Sequence, residues 1–300
     1  MIRSYDIAAR DEPVEVIEAL SDVVDWGEHA IGVEALWRQT KGAGVRVAVL
    51  DTGWDEHPDL LANIIDRAGF TGDDGLDSVG HGTHCAGIVG AIDNGEGVVG
   101  VAPRCSLMLY KVLPADVDGL VAAIGRCVAE NADIITMSWG GGQDTTEVHD
   151  ALKAAYAYGI VLVAAAGNNF HEGSDSVMFP ARYPEVLAVG AVDASMHKAS
   201  FSATGPALAN SVAMPGVDVL STWLNYGYAR MSGTSMAAPM LAGLIALMLA
   251  KYRPPRDLVH SFVAKELAKI SSHEDSFEYT GLGVPDAGKL ADDVQRLDMF

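Results

Sequence analysis

Cysteine is scarce in this chain of 300 residues: Cys85, Cys105 and Cys127 form a small, odd set. No disulfide framework therefore organises the fold, and buried thiols are the expected state. Positive charge is also in short supply. Lys and Arg number 20 against 40 Asp and Glu, a formal charge of −20 with a pI near 4.6. So acidic a surface repels phosphate backbones, and nucleic acid is not an expected partner. Long apolar runs are missing too. The longest uncharged one, Met236 to Ala250, holds 15 residues interrupted by Pro239, less than a bilayer span needs, so no membrane association is expected. Met1 to Leu20 carries Arg3, Asp6, Arg10, Asp11, Glu12, Glu15 and Glu18 with no basic segment leading into an apolar one. That pattern is not a secretory signal, and a cytoplasmic location is the expectation. Internal repeats, low-complexity tracts and Pro/Ser-rich linkers do not occur.

What remains is a folding chain. Hydrophobic residues make up 49% and charged ones 20%, with a mean hydropathy of +0.18, which excludes disordered and fibrous classes. The length suits one large α/β domain, and the 32 glycines announce tight turns and close backbone approaches. Apolar runs at 45–50, 107–113, 133–137, 160–165 and 186–191 read as buried strands, alternating with helical stretches at 119–131, 147–158 and 236–252. That alternation predicts a three-layer, doubly wound α/β fold, its sheet mostly parallel and covered by helices on both faces. In such folds the active site lies beyond the carboxyl ends of the strands.

Three polar segments fall where that rule directs attention. The first strand ends in Asp51-Thr52-Gly53. Gly80-His81-Gly82-Thr83-His84 leads into an apolar helical stretch. Ser232-Gly233-Thr234-Ser235 opens the most apolar helix, where unpaired N–H groups favour negative charge. Taken singly, Asp51 also fits a turn cap, His81 a satisfied helix-start histidine and Ser235 an ordinary N-cap. Together, Asp, His and Ser are the set that a nucleophilic hydrolase with an oriented base requires.

The segments 47–53 (VAVLDTG), 81–87 (HGTHCAG) and 233–239 (GTSMAAP) resemble the three signature blocks of the subtilisin-like serine proteases. Val98 to Pro103, Met137 to Gly141 and Ala164 to Asn168 match further blocks, and the likeness runs from about Val23 to about Leu290. The resemblance implies a serine endopeptidase acting on protein or peptide substrates. Ser235 would be the nucleophile, His81 the general base and Asp51 its orienting partner. Asn168, with the Ser235 backbone N–H, would form the oxyanion hole. Ser138, Trp139 and Gly140 match the segment that pairs with the substrate backbone. Lys111 to Asp116 resembles the opposite wall in shortened form, and Met178 stands where many relatives keep a glycine at the pocket base, implying a shallower pocket. Ile92 to Val98 looks like the family's calcium loop. By that likeness Asp22, Asp59 and Asn94 would offer side-chain oxygens to Ca²⁺, and Ile92, Glu96 and Val98 carbonyls, although an Asx-Gly turn alone would also fit. The family's second cation site uses acids where this chain has Ala207 and Ala209, so that site is expected to be absent.

Other residues carry less. Cys85 matches the block of the proteinase K branch and is expected to be a buried small hydrophobe. Met236 is an expected oxidation site, Met240 a packing residue, and His57, His149, His171 and His273 surface residues. The N-terminus looks like that of intracellular subtilisins. Residues 1–20 are expected to form a short, self-inhibitory extension ahead of a catalytic domain at 21–300. Two rival readings are a narrow precursor-processing protease and a catalytically silent subtilase fold used for binding.

Overall fold

The computed structural model describes residues 6–7, 16–17, 21–114, 116–171, 174–272 and 280–292. A seven-stranded sheet is its central layer. The strands are β1 (Arg46–Asp51), β2 (Ile64–Gly69), β3 (Ser106–Lys111), β4 (Ile134–Met137), β5 (Val161–Ala165), β6 (Val186–Val192) and β7 (Ala213–Pro215). Their order is β7-β6-β5-β4-β1-β3-β2, with every pair parallel. Side chains alternate between the two faces as pleating demands. Val47 and Val49 enter one core with Leu107, Leu109, Val161 and Val163, while Ala48 and Leu50 enter the other with Met108, Tyr110 and Leu162. Both faces are buried, which is why the strands read as unbroken apolar runs.

Helices α1 (His81–Gly90), α4 (Thr234–Tyr252) and α5 (Val259–Ile270) feed the first core, and α2 (Val117–Ala129) and α3 (Thr146–Ala157) the second. Helix α4 is apolar all round because it is surrounded: every residue from Thr234 to Leu249 is buried. At 19 residues it is longer than the uncharged run suggested, and its composition alone would suit a membrane, but 89% of its most apolar 18-residue stretch is buried inside the protein. That burial answers its hydrophobicity.

Strands β2 and β7 escape the sequence pattern for different reasons. The sequence of β2, Ile-Ile-Asp-Arg-Ala-Gly, alternates half-buried and exposed positions because it is an edge strand. At three residues, β7 is too short to read. Helix α2 begins two residues earlier than expected, since the Asp116 carboxylate accepts the Gly119 N–H at 2.6 Å and acts as its N-cap.

A hairpin of Val219–Thr222 and Tyr228–Met231 flanks the sheet. Two short segments of the N-terminal region dock on strand edges. Asp6 and Ile7 pair antiparallel with Gly140 and Trp139, and Val16 and Ile17 pair antiparallel with Ala229 and Tyr228.

Candidate active site

Asp51 is the last residue of β1 and His81 the first of α1, so the chain's own topology places a carboxylate at a strand tip beside a helix start. Asp51 Oδ1 lies 2.6 Å from His81 Nδ1, with both side chains 1% exposed. The approach requires bare backbone around it. A Cβ on Gly82 would sit 2.4 Å from the Gly53 carbonyl oxygen, and one on Gly80, whose φ is +96°, would strike the Trp223 ring at 2.5 Å. Burial disfavours charge on His81, but the adjoining Asp51 carboxylate outweighs it, with a smaller contribution from Cys85, and holds the imidazole well above its ordinary pKa. Three residues on, His84 behaves oppositely. Burial lowers its pKa to about 3, and the neutral ring donates from Nε2 to the Ala229 carbonyl at 2.9 Å.

Ser235 sits in the first turn of α4, fully buried. Pro239, four residues on, has no N–H to donate to the Ser235 carbonyl. That carbonyl is claimed instead by the Ser138 hydroxyl at 2.8 Å and the Cys85 thiol at 3.4 Å. The Cys85 sulfur also lies 3.9 Å from His81 Nδ1 and so touches both halves of the site. Its ligand atom lies within 4.8 Å of those of Asp51 and His81. Burial pushes the Cys85 thiol pKa up, which fits the inert buried thiol expected from sequence.

The Ser235 hydroxyl donates to the Ser138 carbonyl at 3.1 Å. His81 Nε2 is buried with no hydrogen-bond partner among the described residues, so the serine–histidine hydrogen bond is not formed in this state. Such contacts often tighten only with substrate bound. Asn168 follows β5, and its carboxamide oxygen accepts from the Thr234 N–H at 2.9 Å and hydroxyl at 3.0 Å. Thr234 thereby fixes which end of the carboxamide donates, on the residue preceding Ser235.

The expected cleft residues also come together. Ser138 precedes the two-residue strand Trp139–Gly140, and the Trp139 indole donates to the Leu50 carbonyl at 2.8 Å, anchoring that strand to β1. Met178 lies between Gly140 and Gly167. A Cβ on Gly140 would meet Met178 Cβ at 2.9 Å, and one on Gly167 would meet its Cγ and Sδ at 2.9 Å. Strand β3 ends at Lys111 and Asp116 caps α2.

Away from this cleft, a loop folds around acidic side chains. Asp22 Oδ1 accepts the Gly95 N–H at 2.8 Å, and Asp59 Oδ2 accepts from Val98 N at 3.1 Å and the Tyr228 hydroxyl at 3.0 Å. The Asn94 amide lies 3.3 Å from Asp59 Oδ1. Among the described residues, no donor reaches the carbonyls of Ile92, Glu96 or Val98. Two carboxylates, a carboxamide and three such carbonyls make an all-oxygen donor set that fits a hard divalent cation.

One expectation is overturned. His57 is fully buried, accepting the Asp59 N–H at 3.2 Å and donating to the Gly227 carbonyl at 3.1 Å. Its isolation in sequence hid both partners. His149 pairs with Glu185 at 3.0 Å and stacks on Tyr183, His171 is exposed, and His273 lies outside the described residues. Sequence reading passed over Thr52 and Asp77, which bracket the Asp51–His81 pair. An aspartate four residues ahead of a helix start was the available signal.

The family model described as "Subtilase family" matches residues 42–264. The "Intracellular serine protease" of Paenibacillus polymyxa is 40% identical over 274 residues, 86% of this chain and 83% of that protein. The "Major intracellular serine protease" of Bacillus subtilis (strain 168) is 38% identical over 253 residues, 79% of each. Subtilisin DY of Bacillus licheniformis is 43% identical over 248 residues, 80% of this chain and 88% of that protein.

Histidine NMR titration tests the electrostatics. His81 should titrate above 6.5, and His84 should stay neutral down to about pH 3. Because unfolded His84 binds a proton that the folded ring refuses, it should cost about 1.4 kcal/mol of stability per pH unit as pH falls below about 6.5, ending near 3. A single ordinary titration for both rings would contradict this assignment.

Proposed function

The chain belongs to the subtilase family, and on that premise we propose which residues carry its serine endopeptidase chemistry and what governs their access to substrate. The observation that carries the reading is the buried Asp51–His81 contact, joined to Ser235 through Cys85. Ser235 Oγ attacks the scissile carbonyl while His81 Nε2 takes its proton. Asp51 keeps the ring in the tautomer that offers Nε2 and stabilises the imidazolium that forms. The Asn168 amide and the Ser235 backbone N–H receive the oxyanion, and losing one such donor typically lowers kcat by about 10²–10³. Collapse expels the amine, protonated by His81. Water, deprotonated by the same ring, then hydrolyses the acyl-enzyme.

Substrate adds as a strand along Trp139 and Gly140, the edge on which Asp6 and Ile7 lie. That overlap supports self-inhibition by residues 1–20, relieved by their removal. Met178 between Gly140 and Gly167 supports a shallow pocket that takes small side chains. Asp22, Asp59 and Asn94 with the carbonyls of Ile92, Glu96 and Val98 would hold Ca²⁺. The ion would tie the chain following the extension to the loop after α1 and so stabilise the fold. The intracellular relatives support a cytoplasmic location, and the −20 charge favours peptide over nucleic-acid partners.

Mass spectrometry after treatment with a serine-directed fluorophosphonate should find one adduct, on Ser235, formed faster once residues 1–20 are deleted and lost on calcium chelation. No adduct in either form would return the chain to a silent binding fold. An adduct indifferent to deletion or to chelation would remove the inhibitory extension or the metal site, respectively. Met178→Gly should shift peptide-library cleavage towards large residues before the scissile bond. An unchanged profile would show that Met178 does not limit the pocket.

A further inference from the structure

Asp77 takes no part in the chemistry above, yet the residue is only 9% exposed and its carboxylate accepts five hydrogen bonds. Oδ1 accepts the Thr52 hydroxyl and the Val79 and Gly80 N–H groups, all at 2.9 Å. Oδ2 accepts the Thr83 N–H at 3.0 Å and the Thr83 hydroxyl at 2.8 Å. These donors divide into two sets. One is the Thr52 hydroxyl, just past the end of β1. The other is the Val79, Gly80 and Thr83 N–H groups with the Thr83 hydroxyl, in and just ahead of the first turn of α1, whose leading N–H groups have no partner within the helix. Thr52 closes the connection. Its hydroxyl, while donating to Asp77, accepts the Gly82 N–H at 2.8 Å, and its own N–H donates to Asp51 Oδ1 at 2.7 Å.

We propose that Asp77 is a positioning residue for the reaction, acting through the Thr52 hydroxyl to lock the end of β1 onto the first turn of α1, so that Asp51 and His81 meet in one geometry. The proposal rests on the catalytic roles assigned above to Asp51, His81 and Ser235. Strand and helix are separate elements joined by a long connection. Among the described residues, Asp51 and the Cys85 sulfur contact the ring at Nδ1, while the Thr52 and Asp77 bonds tie the two elements together. A buried carboxylate is costly unless donors surround it, and here every donor lies on one side or the other of that junction. The arrangement constrains position without adding a second charge to the reacting atoms. Asp55 extends the same clamp, since its N–H donates to Thr83 Oγ1 at 3.0 Å.

The cleanest test is Thr52→Val, which removes the hydroxyl with little change of shape, beside Thr52→Ser, which keeps it, and Asp77→Asn. All three are assayed for kcat and KM on a peptide substrate and for the rate of fluorophosphonate capture at Ser235. Thr52→Val should lower kcat and the capture rate between about 10- and 100-fold with KM within about twofold. Thr52→Ser should return kcat to within about twofold of the parent, and Asp77→Asn should resemble Thr52→Val. Residues that merely stabilised the fold would lower the melting temperature and leave kcat of the folded protein intact. If folded Thr52→Val retains the parent kcat, or if Thr52→Ser falls as far as Thr52→Val, the proposal is wrong while the triad reading stands. Should no adduct form at Ser235 either with residues 1–20 present or with them deleted, the triad reading fails and the proposal fails with it. Where Asp77→Asn does not fold, the two threonine variants decide.

Discussion

A carboxylate and an imidazole, 2.6 Å apart and almost wholly withdrawn from water, impose the constraint around which the rest of this structure is arranged. Placed apart in a dry interior, either charge would be prohibitive. Placed together, they need a scaffold that delivers two sequence-distant groups to one point. A parallel sheet does this by ending its strands on a common edge, against which a helix can begin. The apolar strand β1 carries Asp51 to that edge. Gly80 and Gly82 let α1 start close enough for His81 to reach it, because side chains there would collide with the Trp223 ring and the Gly53 carbonyl. Hydrophobic burial supplies the stability, while small residues and buried hydrogen bonds supply the geometry.

Ser235 is presented by a different device. Helix α4 is buried from Thr234 to Leu249, and a proline in its second turn prevents the normal backbone bond to the Ser235 carbonyl. Ser138 and Cys85 take that carbonyl over, which locks the serine's backbone to the cleft strand on one side and to the histidine helix on the other. The N-terminal segment bears on the same edges. It contacts the cleft strand at Asp6 and Ile7 and the hairpin at Val16 and Ile17, then reaches Asp22 in the acidic loop. The pairing with Trp139 and Gly140, the pairing with the hairpin and the proposed calcium site therefore lie in succession along one short stretch of chain.

The fold was legible because burial on both faces leaves strands as unbroken apolar runs, and β1, β3, β4, β5 and β6 show it. Edge strand β2 was not, since half its side chains face water. The three site blocks were legible because close approach demands glycine and because Asp, His and Ser recur at element ends. Met178 stood out only through the family resemblance, and its place between Gly140 and Gly167 was not legible in the chain. His57, Thr52 and Asp77 were not legible. Each owes its role to partners distant in sequence, and a buried polar side chain satisfied by backbone groups elsewhere looks like any surface residue in the chain. Sequence reads the groups that react more readily than those that hold them still.

In the proposed reaction, Asp51 makes His81 a base for Ser235. Its most direct test is the pH dependence of fluorophosphonate capture at Ser235 in the parent protein and in Asp51→Asn. A raised His81 pKa must be exceeded before the ring can accept a proton. The parent rate should therefore rise through a midpoint above 6.5, and Asp51→Asn should lower the plateau by about 10⁴-fold. A parent midpoint at or below 6.5, or an Asp51→Asn plateau within tenfold of the parent, would contradict the account.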